Sequence, residues 1–204
     1  MIRTASVCTF MAIATASAAE LLPVTADAVF TFNGQEFTIS RASTIDQTTI
    51  TALSQTSATC PSPCLSPMIV ARNVPTLGEL DVIDFLSNQV EAGEGLLIDA
   101  RPPEERAIGF IPASVNIPAA TLAPTNPYRD EILMALGAEQ FQGVFNFSDV
   151  LSLVVFDAGP ATQDASKLVT DLLAAGYPAE KIGYYRGGML VWSTSGLSTE
   201  STIQ

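Results

Sequence analysis

The 204-residue chain has no histidine, only nine basic residues and only three cysteines, so several chemistries are excluded at the outset. Without histidine there is no Ser-His or Cys-His nucleophile pair, and the commonest metal ligand is missing. The nine Lys and Arg residues are scattered and outnumbered by 21 Asp and Glu, giving a net charge of −12. No basic stripe exists to neutralise phosphates, so neither nucleic acid nor an anionic membrane surface is expected as a partner. A Gly-x-Gly-x-x-Gly dinucleotide fingerprint is also absent, and the Gly187-Gly188 pair falls in a short terminal unit where it cannot serve as one. No cofactor is expected. What is present is a chain that is 48% hydrophobic and 15% charged, enough apolar material for one full core plus an extension.

Residues 1–19 have the anatomy of a secretory signal peptide: Arg3, the apolar run from Val7 to Ala14 and the small residues Ala16, Ser17 and Ala18. Cleavage after Ala18 or Ala19 is expected, with a periplasmic or secreted product and no membrane span after signal removal. Cys8 would leave with the signal. Cys60 and Cys64 then remain.

Residues 20–74 read as an extension. In it, Ala28 to Ser40 alternates apolar and polar on either side of Asn33-Gly34, a pair that tolerates the positive φ of a type I′ turn and so predicts a β-hairpin. Arg41 to Thr59 is Thr-, Ser- and Gln-rich without a period and predicts a connector. Cys60-Pro-Ser-Pro-Cys64-Leu-Ser-Pro-Met68 carries three prolines, which forbid a regular helix. Three roles stay open for Cys60 and Cys64: a disulfide, a redox-active or sulfur-carrying pair, or a soft-metal site in which Met68 would complete a set suited to Cu(I).

From residue 75 the pattern is α/β. Thr76-Leu-Gly-Glu79 predicts a capping box opening a helix through Leu80, Ile83 and Leu86. Gly95–Asp99, Ile111–Pro118, Leu151–Phe156 and Ile182–Tyr185 predict strands. Helices are expected over 127–137, along the Leu168, Val169, Leu172, Leu173 face up to Gly176, and from near Gly188. Alternating strands and helices with short connections predict a parallel sheet covered on both faces.

Three motifs stand in order along this region: Leu96-Leu-Ile-Asp99-Ala-Arg101, Gly109-Phe-Ile-Pro-Ala-Ser-Val-Asn-Ile-Pro118 and Tyr185-Arg-Gly-Gly-Met-Leu-Val-Trp192. They resemble the Asp-x-Arg strand end, the Gly-His-Ile-Pro-Gly-Ala-x-Asn-Ile-Pro signature and the Tyr-Arg-Gly-Gly-x-x-x-Trp ending of the rhodanese-like domains. The resemblance spans roughly residues 75–197, leaving 198–204 as a tail, and implies the rhodanese fold with Asp99, Arg101 and Arg186 at family positions. It also implies a catalytic loop after the strand 151–156. Exported single-domain relatives read Cys-Asn-Gly-Pro-Trp-Cys there, whereas this chain reads Asp157-Ala158-Gly159-Pro160-Ala161-Thr162.

A rhodanese thiolate attacks a sulfur donor and holds the sulfur as a persulfide, which a carboxylate cannot do. The resemblance therefore implies a degenerate, catalytically inactive domain linked to sulfur metabolism, a pseudoenzyme that binds an unknown protein partner or a small anion. Asp157 has two readings: a fixed anion in a cradle of N–H groups, or a cap for the loop and helix. Arg101 is expected to pair with Glu104 or Glu105, and Arg186 to fix the turn before the last helix. A displaced sulfur carrier built on Cys60 or Cys64, or a Cu(I) protein using Cys60, Cys64 and Met68, are the alternatives.

Overall fold

The computed structural model describes residues 27–41, 47–54 and 65–202. The expected signal peptide, Cys60 and Cys64 lie outside the described residues. Four parallel strands make the central sheet: β3 (Gly95–Asp99), β4 (Val115–Asn116), β7 (Ser152–Phe156) and β8 (Ile182–Tyr185), in spatial order β4-β3-β7-β8. Two hairpins flank it, β1 (Ala28–Phe32) with β2 (Gln35–Ile39), and β5 (Glu139–Phe141) with β6 (Val144–Asn146). The helices are α1 (Gln47–Ser54), α2 (Glu79–Phe85), α3 (Pro103–Ile108), α4 (Arg129–Ala135), α5 (Asp164–Ala175) and α6 (Gly188–Thr194).

The continuous apolar strands are continuous because both faces are buried. Along β7, Leu153 and Val155 enter one core with Ile98, Leu133, Leu168 and Leu172, while Val154 and Phe156 enter a second with Leu97, Val82, Ile83 and Trp192. Period-2 alternation thus divides one strand between two cores. Phe30 and Ile39 of the first hairpin are 1% and 0% exposed inside the second core, so this hairpin is integral to the packing. Its seam is closed by the Ser40 N–H donating to Ser198 Oγ at 2.9 Å and Arg41 Nε donating to the Ser195 carbonyl at 3.0 Å.

Two local expectations differ from the structure. The connector read over 41–59 contains α1, which packs against α6; its helicity comes from that tertiary contact, which no period in Gln47–Ser54 announces. The helix start read at 76–79 is capped two residues later than expected. Gly78 is the N-cap and its N–H donates to Asp81 Oδ2 at 2.7 Å. Glu79 instead accepts a 2.9 Å bond from the Tyr185 hydroxyl, joining α2 to β8. The hairpin β5-β6, for which no strand was expected, turns at Gln142 and Gly143 with φ of 50° and 80°.

Candidate functional site: a buried carboxylate in a strand-to-helix loop

The C-terminal ends of β3, β7 and β8 converge, as the open edge of a parallel α/β sheet requires. At the end of β3, Asp99 and Arg101 are both fully buried. Asp99 accepts Arg101 Nε at 2.9 Å on one oxygen and Nη2 at 2.7 Å on the other, a two-pronged pair that orients both side chains. Arg101 also donates to the Gly109 carbonyl at 2.7 Å and the Glu105 carbonyl at 3.3 Å. The expected pairing with a Glu104 or Glu105 carboxylate is not what forms. Asp99 is nearer along the strand end and is already desolvated, so it gains most from the guanidinium.

A second cation, missed in the sequence, completes this knot. Arg106 Nη1 reaches Asp99 at 3.2 Å and Ser114 Oγ at 2.8 Å, and Nη2 donates to the Ser114 carbonyl at 2.6 Å. Its guanidinium lies 3.9 Å over the ring of Phe110, the residue standing at the family signature's histidine. Phe110 is thus a stacking platform for a cation. Burial lowers the Arg106 pKa, with Asp99 opposing that shift. The four-residue spacing of Arg106 and Phe110 at a helix end was the available signal.

Asp157 lies at the end of β7 and is fully buried. Its Oδ1 accepts the Gly159 N–H and its Oδ2 the Ala165 N–H, each at 3.0 Å. Both oxygens are therefore turned into the loop and the first turn of α5, which is the capping geometry. Burial pushes the Asp157 carboxyl up to about 6, against the pull of hydrogen bonds from Ala165, Thr162 and Gly159. Asp164, the first residue of α5, is also pushed up by burial, and Lys167 partly offsets that.

The loop is held from two other directions. Gly188, at φ 57°, sits so close beneath it that a Cβ there would lie 2.4 Å from the Asp157 carbonyl oxygen. This is the physical demand behind the second glycine of Tyr-Arg-Gly-Gly. Met189 and Leu190 N–H groups then donate to the Asp157 and Ala158 carbonyls at 3.0 and 2.9 Å. From the extension, the Ser66 N–H donates to the Pro160 carbonyl at 2.8 Å, and its hydroxyl donates to the Thr162 carbonyl. Arg186 Nε reaches across to the Ser66 carbonyl at 2.9 Å. Arg186 therefore ties the turn after β8 to the strap 65–67. The Tyr184 hydroxyl is buried near Ser66 and Arg186. Ala158 is buried, Ala161 is exposed, and the Thr162 hydroxyl closes the loop on the Gly159 carbonyl at 2.8 Å.

Met68 is 62% exposed, and its two expected companions Cys60 and Cys64 lie outside the described residues. Among the described residues no group of three or more His, Cys, Asp or Glu is placed to hold a metal, and no helix is long and apolar enough to cross a membrane.

A parallel sheet ending in an Asp-Arg knot, a six-residue loop into a helix and a Tyr-Arg-Gly-Gly turn defines a rhodanese-type domain. The chain belongs to the rhodanese-like domain family, whose model matches residues 82–195, more than half of its length. No match was found among curated proteins. Among solved structures it is similar to a thiosulfate sulfurtransferase from Pseudomonas aeruginosa (22% identity, 64% of this chain and 21% of that one, TM-score 0.42). It is also similar to a rhodanese-like domain from Anabaena (21% identity, 53% and 66%, TM-score 0.39). A third is a protein from Rhodopseudomonas palustris described as a possible tyrosine phosphatase (20% identity, 78% and 98%, TM-score 0.45).

Proposed function

We propose that this chain is an extracytoplasmic rhodanese-like module that has given up sulfur transfer and acts by binding, as a partner-docking or scaffold domain. The observation that supports it is the state of Asp157. The side chain at the family's nucleophile position is a carboxylate whose two oxygens are both engaged by loop N–H groups. It offers no sulfur to carry a persulfide, and it fills the donors that would otherwise receive an anionic donor's charge. The purified chain should transfer no sulfur from thiosulfate to cyanide above the uncatalysed rate. Turnover above that rate would refute the reading. The export half rests on residues 1–19, and N-terminal sequencing of the protein recovered from outside the cytoplasm should start at Ala19 or Glu20.

One observation favours a second reading, a sulfur carrier using Cys60 or Cys64. Ser66, two residues beyond Cys64 in the sequence, is bonded to Pro160 and Thr162 of the loop. Intact mass under non-reducing conditions, before and after a persulfide donor, separates the two. A mass unchanged by the donor fits the binding module, and a gain of one sulfur mapped to Cys60 or Cys64 fits the carrier.

A further inference from the structure

Beside the degenerate loop lies a cavity of about 500 Å³ that the loop chemistry does not use. One wall is the strap, with Leu65, Pro67 and Val70, and the floor is Ala119, Ala120 and Ala123. The other wall is a face of α5 carrying Asp164, Lys167 and Asp171. The volume lies in the range of small-molecule sites, and alanines along the floor are what keep the space open.

The polar groups lining this cavity differ in what they still have to give. Ser66 and Ser166 donate their hydroxyl protons to the Thr162 and Gln163 carbonyls, and Thr170 donates to the Ser166 carbonyl. The Asp164 carboxylate, in contrast, makes no hydrogen bond or salt bridge among the described residues, although it is half-buried and incurs a desolvation that pushes its pKa up. Lys167 lies one turn from each aspartate, so one cation faces two carboxylates and the lining is negative overall. Glu105 and Asp99 add to the negative potential at Asp164, with buried Arg101 opposing them. An anionic sulfur donor would meet this field as repulsion.

We infer that the cavity between the strap and α5 binds a small organic ammonium with an apolar body, its charged head on the Asp164 side and its body on the alanine floor. This rests on the binding-module reading above and gives that module a ligand class of opposite charge to thiosulfate. The apolar wall supplies burial, and the carboxylate supplies a charge-assisted hydrogen bond that fixes orientation.

The test is a titration of the full chain, labelled at its alanine methyls, with three near-isosteric probes: 2-phenylethylammonium, 2-phenylethanol and 3-phenylpropionate. The ammonium should shift the Ala120 and Ala123 methyls and bind at least tenfold more tightly than the alcohol or the carboxylate. Asp164→Asn should remove most of that preference while leaving the unfolding midpoint, read by Trp192 fluorescence, near wild type. Equal binding of the three probes, or no shift at those methyls, overturns the inference, and that wild-type comparison stands even if the variant misfolds. Sulfur transfer in the thiosulfate assay would instead sink the binding-module reading while leaving the ammonium selectivity measurable, so the two failures are distinct.

Discussion

Replacing Asp157 with asparagine should change how stability depends on pH, and the size of the change follows from the site. The folded carboxyl titrates at about 6 against its ordinary 3.8 because burial outweighs its hydrogen bonds. The folded state therefore binds the proton more tightly than the unfolded chain does between these values. By linkage, the stabilisation from protonated Asp157 is fully present below about pH 3.8 and is lost as pH rises through about 6. A shift of that size corresponds to roughly 3 kcal/mol at about 1.36 kcal/mol per unit. Asparagine cannot ionise, so its penalty is a constant offset. Its NH₂ group must face one of the two loop N–H groups, a donor-donor contact worth about 1–3 kcal/mol. Urea unfolding from pH 4 to 7.5, followed by the single tryptophan Trp192, which is fully buried, reads both proteins with one probe. Subtracting the two curves removes Glu105 and the part of Asp164's contribution that is independent of Asp157, both of these groups being raised by burial. Wild type should lose about 2–2.5 kcal/mol relative to Asp157→Asn as pH rises from 4 through the folded pKa to 7.5. A difference independent of pH, or one in which wild type gains as pH rises, would refute the claim that desolvation governs this carboxylate.

Three further outcomes are expected. Gly188→Ala should cost roughly 2–5 kcal/mol, combining left-handed backbone strain with a clash that must push the loop away, and a change below about 1 kcal/mol in the same assay would contradict the tight packing. Asp99→Asn should destabilise more than Arg106→Ala, since it leaves the buried Arg101 and the partly buried Arg106 without their anion, at about 3–5 kcal/mol for breaking such a buried pair; the reverse order would mean the stacking on Phe110 matters more than the ion pair. Arg186→Ala should release the strap, so hydrogen exchange at the Ser66 amide should accelerate while amides of β3 and β7 keep their protection; unchanged exchange at Ser66 would show the strap is held without Arg186.

The central elements could be read in the sequence because their determinants are local. β3, β7 and β8 are unbroken apolar runs, and α5 has an apolar face ending at Gly176, which adopts φ 102°. The loop's position followed from the motifs on either side of it. What escaped was long-range. Gln47–Ser54 has no amphipathic period of its own and is helical against α6. Ser66 sits among prolines with nothing local to suggest that it joins Pro160, 94 positions later, by a main-chain hydrogen bond. The hairpin β5-β6 did carry a signal. Gln142-Gly143 adopts φ of 50° and 80°, close to the 50° and 78° of Asn33-Gly34, but its strands are three residues long, too short for alternation to register.

The 157–162 loop holds its shape without a thiol for a physical reason. Its shape is fixed by main-chain partners: the N–H groups of Met189, Leu190 and Ser66 on its carbonyls, and Gly188 against its backbone. None of these depends on a thiol. A thiolate at position 157 would need the loop's N–H groups to stabilise its charge, and a carboxylate of similar reach accepts from two of the same backbone donors, Gly159 and Ala165. A carboxylate can thus occupy these donors while the loop keeps its main-chain contacts. Asp157→Cys should for the same reason fold with the loop in place and leave the Gly159 and Ala165 N–H groups facing sulfur. Alkylation of the thiol so introduced, in a background lacking Cys8, Cys60 and Cys64, would measure its pKa, and a value at or above the ordinary thiol's about 8.5 would mean that burial defeats the cradle.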